Sequence, residues 1–418
     1  MLYERWRQMA RNHPAETALR ESPSGRRWTF AQLVAAAEKQ PVTDGPLVFA
    51  QGHAAEFLFQ VLRAWRDHAV LCPLEIGQPP PPLPVPPRPA AHLKLTSATT
   101  GPARAVVFTA QQLAADAENI VATMGLRPDW PNLGVISLAH SYGFSNLVLP
   151  LLLHGIPLVI VNSPLPEIVR RAAVGMPALT LAAVPALWRT WHATHAIPVS
   201  TRLAISAGAP LPVALEQDVF QKHGLKLHNF YGSTECGGIA YDGTMTPRSE
   251  GACVGAALHQ VTLALNDSGC LRVSSHAVGQ GYWPDADSTL GQGVFQTSDL
   301  AEFCAGQVFL RGRVSDQINV AGRKISPASI EQVLATHPAV DECLVFGLPS
   351  SDADRSETIA ACIVPREKLA AAELKQFLLA RLPAWQVPRE WRFVDSLGAN
   401  DRGKISRAEW KRTFPARQ

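Results

Sequence analysis

Residues 95–104 form the stretch of this sequence best suited to chemistry, with the order LTSATTGPAR between two apolar, strand-like runs. Hydroxyl groups and free backbone N–H groups in such a loop can hold phosphate oxygens, and Arg104 at its end can balance their charge. Taken alone, a cluster of Ser, Thr and Gly is more often a plain turn. The phosphate interpretation therefore depends on the motifs that follow along the chain.

Further motifs follow in order: NFYGSTE at 229–235, TSDL at 297–300, RGRVSD at 311–316, GRKISP at 322–327 and NDRGKISR at 400–407. With residues 95–104 they resemble the adenylate-forming (AMP-binding) superfamily of acyl- and aryl-CoA synthetases, nonribosomal peptide adenylation domains and firefly luciferase. The resemblance extends from about Trp28, where WTFAQL looks like the family's first motif, to about Arg407. One motif would be weak evidence, whereas the whole ordered set is specific.

The resemblance implies an ATP site with magnesium. Glu235 matches the family's magnesium-binding glutamate, Thr99 is the second expected metal contact, and Thr234 would lie beside the α-phosphate. Carboxylate and phosphate oxygens are the ligands that Mg²⁺ prefers. Asp299 matches the residue that accepts both ribose hydroxyls, and Arg313 matches a second contact to ribose and phosphate. Without the other motifs, these would be a capping glutamate, a turn aspartate and a solvated arginine.

The adenine site is implied by the turn Ser206-Ala207-Gly208-Ala209-Pro210, against which the ring would lie, and by Tyr231, which would stack on it. A tight turn and a core tyrosine are the plainer alternative. The full set of implied ATP-binding residues is Thr96, Ser97, Thr99, Thr100, Gly101, Arg104, Ala207, Gly208, Ala209, Asn229, Phe230, Tyr231, Gly232, Thr234, Asp299, Arg313 and Lys404.

Lys404 matches the lysine of a mobile C-terminal domain that bridges the reacting carboxylate and the α-phosphate. Out of context it would be a surface lysine. The resemblance implies that this domain turns about a hinge at Asp316 after the acyl adenylate forms. The turn that contains Gly322 and Lys324 would then face the thiol that accepts the acyl group. One pocket would thus serve two steps.

The substrate class is less closely specified. Residues 139–144, AHSYGF, resemble the H-x-x-G form of acyl- and aryl-acid ligases and lack the aspartate that holds an amino-acid ammonium group. His140 would therefore lie near the carboxylate, although a capping or core histidine is the alternative. With Phe144, Phe230, Gly208 and Gly238 as the other expected pocket residues, the sequence favours an aromatic acid such as a hydroxybenzoate. Coenzyme A and a carrier-protein phosphopantetheine both remain open as the acceptor.

Some positions depart from the family pattern. Ala98 stands where the family usually has Gly, Ala103-Arg104 stand where it has Pro-Lys, and Asn319 occupies a position that is often Lys. Arg keeps the charge but has a larger, forked head group. The rival hypothesis is therefore a degenerate nucleotide-binding partner protein without ligase activity. The joint presence of Glu235, Asp299, Arg313 and Lys404 argues against it.

The elements that must position these residues form an α/β pattern. Apolar runs at 134–139, 157–161, 178–184, 203–206 and 225–230 alternate with helical stretches such as 111–124, which predicts a mainly parallel sheet covered by helices. Ligands bind at the carboxyl ends of such strands. Short strands between about 250 and 312 predict a small β subdomain. We expect an N-terminal adenylation core at 1–315 and a mobile α+β domain at 316–418.

Proline usage marks one more segment. Of the 34 prolines, eight fall between Pro79 and Pro89, and such a run favours an extended polyproline conformation. Relatives in the family fold an additional subdomain there, so residues 78–90 are expected to form an extended strap across a shortened amino-terminal region. The strap would leave one flank of the pocket open to a partner such as an acyl carrier protein.

Composition excludes several other classes. The 418 residues carry 38 Lys and Arg against 35 Asp and Glu, a formal charge of +3 that indicates no nucleic-acid partner. The seven cysteines show no C-x-x-C spacing, and Met1–Arg11 does not look like a secretory signal. The apolar run Leu147–Val161 is interrupted and too short to span a membrane. These features predict a cytoplasmic protein without a membrane span. His192 and His195 lack further ligands for a metal site, and Ser206 lacks the first glycine of a nucleophile elbow.

Overall fold

The structure is a computed structural model that describes residues 1–22, 24–96, 104–350, 357–398 and 405–414. The chain divides into two compact units. The first comprises Met1–Ser249, Val254–Ala264 and Arg272–Gln296, and the second comprises Glu250–Cys253, Leu265–Leu271 and Thr297–Gln418. The domain boundary at 315/316 stays a prediction.

The helices are α1 Leu2–Asn12, α2 Phe30–Glu38, α3 Ala55–Arg66, α4 Ala110–Met124, α5 Ser141–Gly143, α6 Leu149–His154, α7 Pro166–Ala173, α8 Pro185–Ala193, α9 Val213–His223, α10 Pro327–Leu334, α11 Ala371–Leu379 and α12 Arg407–Thr413. A π-helical turn at Phe144–Val148 joins α5 to α6, and 3₁₀ turns occur at Val314–Asp316 and Ala384–Gln386.

The strands are β1 Thr17–Ser22, β2 Arg27–Thr29, β3 Leu47–Gln51, β4 Val70–Leu74, β5 Ala90–Leu95, β6 Ala105–Thr109, β7 Asn132–Gly134, β8 Leu158–Val161, β9 Leu179–Ala183, β10 Thr201–Ser206, β11 Leu227–Ser233, β12 Gly237–Tyr241, β13 Cys253–Ala257, β14 Thr262–Leu265, β15 Cys270–Ser274, β16 Gly281–Trp283, β17 Leu290–Gly291, β18 Val294–Cys304, β19 Gln307–Arg313, β20 Ile318–Val320, β21 Arg323–Ile325, β22 Val340–Pro349, β23 Glu357–Pro365 and β24 Glu390–Phe393.

The main sheet of the first unit has the strand order β12-β11-β10-β9-β7-β8-β1-β2. Its strands β11, β10, β9, β7, β8 and β1 pair in parallel. Strands such as β9, all of whose residues are buried, need helices on both faces, and the intervening helices supply that cover. The α/β fold expected from the sequence, with a larger N-terminal part and a smaller C-terminal part, is confirmed.

One predicted strand, 134–139, is wrong. The strand β7 ends at Gly134, and the apolar residues that follow leave the sheet. The cause lies at Ser137, whose hydroxyl donates to Glu75 Oε2 at 2.7 Å and accepts from the Ala139 N–H at 3.3 Å. This turn brings the chain to His140, the N-cap of α5.

A second sheet in the first unit has the order β16-β6-β5-β4-β3. The strands β5 and β6 form the antiparallel hairpin that carries residues 97–103, which lie outside the described residues. The proline segment between β4 and β5 has no helix or strand. Its Leu83 packs on the apolar cluster of this sheet, and the Trp283 indole N–H donates to the Pro84 carbonyl at 2.7 Å.

The second unit contains a sheet in which β22 pairs antiparallel with β23, and β23 pairs in parallel with β24. Its two faces carry separate cores. One is built around Ile330 and Leu378, and the other around Phe346 and Phe414. Among the described residues, no helix is long and apolar enough to cross a membrane.

Candidate functional site

The carboxyl ends of β9, β10 and β11 lie side by side and carry the residues expected at the adenine ring. The register pairs Ser206 with Asn229. The turn after β10 begins where the Ala207 N–H donates to the Ala183 carbonyl at 3.1 Å, and Gly208 follows at φ +86° with its surface exposed. A side chain at Gly208 would be strained in this left-handed conformation. A backbone turn exposed at Gly208 therefore lies beside the strand that carries Phe230 and Tyr231.

The expected magnesium ligand lies in the tight connection between β11 and β12. Gly232 approaches Gly237 so closely that a Cβ atom would be 2.6 Å from the Gly237 carbonyl oxygen. Within this turn, Thr234 and Glu235 are half-buried. The Glu235 N–H donates to Ser233 Oγ at 3.2 Å, and its carbonyl accepts from the Gly279 N–H at 2.9 Å. The backbone of Glu235 is thus fixed from both sides.

The carboxylate of Glu235 has a partner that sequence reasoning missed. The Tyr282 hydroxyl donates to Glu235 Oε1 at 3.1 Å. Burial, followed by the charge of Glu235, raises the pKa of Tyr282, so the phenol is a proton donor. Tyr282 lies in the short strand β16, where the sequence offers only an aromatic pair and no spacing signal.

The stem of the predicted phosphate loop is closed by hydrogen bonds. The Thr96 hydroxyl donates to the Arg104 carbonyl at 3.0 Å, and the Thr96 N–H donates to the same oxygen at 2.7 Å. The Arg104 guanidinium lies 4.0 Å from the centroid of the Tyr282 ring, and its Nη2 is 3.3 Å from Asp287 Oδ2. The predicted loop residues Ser97, Thr99, Thr100 and Gly101, with Ala98, lie outside the described residues.

The residues predicted to line the acyl pocket differ in their surroundings. His140 caps α5, where its Nδ1 accepts from the Tyr142 N–H at 3.4 Å. Gly238 lies against Phe230, because a Cβ atom there would be 3.1 Å from the Phe230 ring. Phe144, by contrast, is completely buried with its ring centroid 4.5 Å from that of His92. Its backbone N–H donates to the His140 carbonyl at 2.8 Å, so Phe144 is held beside His140 through the backbone while its ring packs on His92.

Tyr142 is the pocket residue that the sequence did not single out. Its ring centroid lies 6.0 Å from that of Phe230, and its hydroxyl is 3.5 Å from the carbonyl oxygens of both Ala183 and Ile205. Burial raises the pKa of Tyr142, so this phenol is also neutral. Tyr142 therefore stands at the carboxyl ends of β9 and β10, next to the strand that carries the predicted ATP and acyl contacts.

A buried polar cluster supports the turn that carries Glu235. Asp116 accepts from Ser145 Oγ at 2.6 Å and from the Gly238 N–H at 3.2 Å, and its Oδ2 lies 3.4 Å from the Lys94 ammonium. Gly237 has φ +69°, and a Cβ atom there would lie 2.0 Å from Asp116 Oδ1. The carboxylate of Asp116 thus fits only because residue 237 is a glycine.

Asp299 and Arg313, the two residues expected to bind the ribose, contact each other in the second unit. Asp299 and Arg313 are paired across β18 and β19, and Arg313 Nε donates to Asp299 Oδ1 at 2.7 Å. The Asp299 N–H donates to Thr297 Oγ1 at 3.0 Å. A carboxylate held within β18 with its side chain 14% exposed can accept hydroxyl groups.

The predicted hinge and thiolation turn also lie in the second unit. Arg407 Nη1 donates to Asp316 Oδ2 at 3.2 Å, and the same guanidinium pairs with Glu331 at 2.5 Å. Gly322, at φ +80°, and Lys324 lie in the exposed β20–β21 hairpin. In that hairpin, the Asn319 N–H donates to Glu357 Oε2 at 2.7 Å. Lys404 lies outside the described residues.

Family comparisons match both parts of the chain. A family model described as AMP-binding enzyme matches residues 41–283, more than half of the chain, and a second, described as AMP-binding enzyme C-terminal domain, matches residues 329–404. Both matches cover segments in which the sequence motifs were found.

Among curated proteins, the chain is similar to a feruloyl-CoA synthase from an Amycolatopsis species, at 29% identity over 359 residues that cover 80% of this chain and 72% of the relative. It is also similar to the fatty acid–[acyl-carrier-protein] ligase ScoC from Streptomyces coeruleorubidus, at 31% identity over 235 residues, 51% of this chain and 44% of the relative. Among solved structures, ATP-bound MatB from Rhodopseudomonas palustris has the same fold, with a TM-score of 0.87 at 20% identity over 99% of this chain and 98% of that chain.

Proposed function

Because this chain belongs to the family of AMP-binding enzymes, we propose that it adenylates a small carboxylic acid with ATP and transfers the acyl group to a thiol. As a member of this family the chain is an AMP-forming acid–thiol ligase. The observation that best supports the ATP-dependent first step is the meeting of Glu235 and Arg104 at one tyrosine, beside the stem of the predicted phosphate loop.

In the first step, an oxygen of the substrate carboxylate attacks the α-phosphorus of ATP, and pyrophosphate leaves. The backbone turn at Ala207–Ala209 would hold the adenine with Tyr231, while Asp299 and Arg313 would hold the ribose. Arg104 would balance charge on the leaving pyrophosphate. Lys404 would bridge the carboxylate and the α-phosphate, where negative charge concentrates in the transition state.

The residues around Glu235 fit a magnesium ion. Glu235 offers one hard carboxylate in a half-buried turn, and no group of three or more His, Cys, Asp or Glu side chains suited to a metal exists in the part of the chain that the structure describes. A single protein carboxylate completed by phosphate oxygens and water is how Mg²⁺ is usually held at nucleotides. When bound, the ion would neutralise phosphate charge, and Thr99 is proposed as its second contact.

In the second step, a thiol attacks the carbonyl carbon of the acyl adenylate, forming the thioester and releasing AMP. We propose that residues 316–418 turn about Asp316 between the steps, which withdraws Lys404 and presents the hairpin with Gly322 and Lys324. Such use of motion lets one pocket serve both reactions.

The proposed acid is an aryl acid of the hydroxybenzoate type, with other acyl acids as the broader class. An aromatic ring would find Phe230 and Tyr142 as apolar neighbours, with Gly238 as a small residue against Phe230. Its carboxylate would point towards His140. The curated relatives include enzymes named for an aryl acid and for a fatty acid, so both classes belong in the substrate panel.

The size of the acid that fits should depend on Tyr142. Replacing Tyr142 with valine removes a ring that packs on Phe230, and we expect the preference for a larger over a smaller acid, measured as the ratio of kcat/KM values, to rise about tenfold. The matched control is Tyr142→Phe, which removes the hydroxyl and keeps the ring. A valine variant that keeps the wild-type acid preference would contradict the proposal that Tyr142 lines the acid pocket.

The thiol acceptor is tested by product analysis. With acid, ATP and Mg²⁺ supplied, release of AMP and pyrophosphate is compared with coenzyme A, with a phosphopantetheinylated carrier protein and without a thiol. We expect thioester and AMP in equal amounts with one acceptor. Release of ADP and inorganic phosphate would contradict the proposed reaction.

A further inference from the structure

Tyr282 is the point at which two separate parts of the predicted phosphate site meet. Its hydroxyl donates to Glu235 Oε1 at 3.1 Å, and its ring lies under the Arg104 guanidinium at 4.0 Å. Glu235 and Arg104 are far apart in sequence and carry opposite charges, yet neither pairs with the other in the described contacts. One aromatic side chain therefore contacts both the predicted metal ligand and the predicted phosphate cation.

The backbone around Tyr282 is held to the same two parts of the chain. The strand β16 pairs antiparallel with β6, with Tyr282 opposite Val106, so it lies beside the segment that begins after Arg104. Just before β16, the Gly279 N–H donates to the Glu235 carbonyl, and a Cβ atom on Gly279 would lie 2.5 Å from Val106 Cγ1. The position of the Tyr282 ring is thus set by both segments.

Arg104 is held at Tyr282 by a second group. Asp287 Oδ1 accepts from the Thr289 N–H and hydroxyl at 2.9 and 2.7 Å, which fixes the carboxylate and leaves Oδ2 for Arg104 at 3.3 Å. An arginine head group is planar and stacks on an aromatic face, which an ammonium group does less well. The arginine at position 104 is therefore matched by a ring on which it can lie.

We infer that Tyr282 is a positioning residue for MgATP: its hydroxyl fixes the Glu235 carboxylate for the metal, and its ring orients Arg104 towards the phosphates. This inference rests on the proposed function, because it assumes that Glu235 and Arg104 bind the magnesium and phosphates of ATP. The hydroxyl bonded to Oε1 leaves Oε2 of Glu235 available as a ligand. The two roles reside in different atoms of one side chain and can be removed separately.

The test measures ATP binding by calorimetry without acid or thiol, once with Mg²⁺ and once with EDTA. In Tyr282→Phe we expect the gain in affinity due to Mg²⁺ to fall about tenfold, since a hydrogen bond to a charged group is lost, while the affinity for metal-free ATP is unchanged. In Tyr282→Ala we expect both to fall, because Arg104 also loses the ring. A general structural defect would lower both quantities in the phenylalanine variant too.

Tyr3→Phe is the matched control, because the Tyr3 hydroxyl is buried without a hydrogen-bond partner among the described residues. It should keep both affinities. A Tyr282→Phe protein with an unchanged or larger magnesium gain would overturn the inference and leave the proposed function intact. Failure of the wild-type protein to bind ATP at all would instead contradict the proposed function.

Discussion

Replacing Lys404 with alanine is expected to lower the rate of acyl-adenylate formation about a hundredfold or more, while the Kd for ATP stays near the wild-type value. The lysine is proposed to touch the reacting carboxylate and the α-phosphate. These two anionic groups approach bonding distance only as the oxygen–phosphorus bond forms, so most of the loss falls on the rate and little on ATP binding. Rapid-quench measurement of acyl-AMP in a single turnover, with calorimetric ATP binding, checks both parts.

Lys375→Ala is the matched control, because Lys375 is an exposed lysine on α11 of the same unit. It should form acyl-AMP at the wild-type rate. A Lys404→Ala protein that also keeps that rate would remove Lys404 from the mechanism. A Lys404→Ala protein that loses ATP affinity and adenylation rate by the same factor would show that Lys404 contributes to ATP binding and not specifically to the transition state.

Replacing Asp116 with alanine is expected to destabilise the protein by about 3–5 kcal/mol, because it leaves a buried ammonium group without its counter-charge. The side chains of Lys94 and Asp116 are only 3% and 1% exposed. Asp116 also accepts hydrogen bonds from Ser145 and from the Gly238 N–H, so its removal leaves further buried donors unpaired. The shift in the urea midpoint, with the m-value, measures the loss.

Two further variants separate charge burial from loss of packing. The double change Lys94→Met with Asp116→Leu removes both charges, and we expect it to be much less harmful than Asp116→Ala alone. Asp129→Ala breaks an exposed pair with Arg127 and should change the midpoint little. Equal losses in the single and double variants would show that shape, and not the unpaired charge, explains the effect.

Periodicity and motif order predicted much of the fold. The apolar runs at 178–184 and 203–206 became the parallel strands β9 and β10. The interrupted run Leu147–Val161, expected not to span a membrane, contains α6, Gly155 in the left-handed conformation and β8. Strand 134–139 was wrong because an apolar run says nothing about a hydroxyl such as Ser137 that turns the chain out of the sheet. That turn depends on Glu75, which is distant in sequence.

The residues that support the site could not be predicted from the sequence for the same reason, because the residues they contact are distant along the chain. Asp116 meets Gly238 across 122 positions, and Arg104 meets Asp287 across 183. The pairing of β6 with β16 and the packing of the helix α4 against β12 bring these residues together. Motifs named the residues expected to touch ATP. Tyr142 lies within the quoted stretch 139–144 without being one of its marked positions, and Tyr282 lies outside all of the quoted motifs.

The measurement that tests the central claim most directly is acid-dependent exchange of labelled pyrophosphate into ATP. It reports the first step alone, so it does not require the thiol acceptor to be known. Across a panel of hydroxybenzoates, cinnamates and aliphatic acids, we predict exchange with at least one acid and none when acid is omitted. No exchange with any acid, in a folded sample that still binds ATP, would contradict adenylation as the function of this protein.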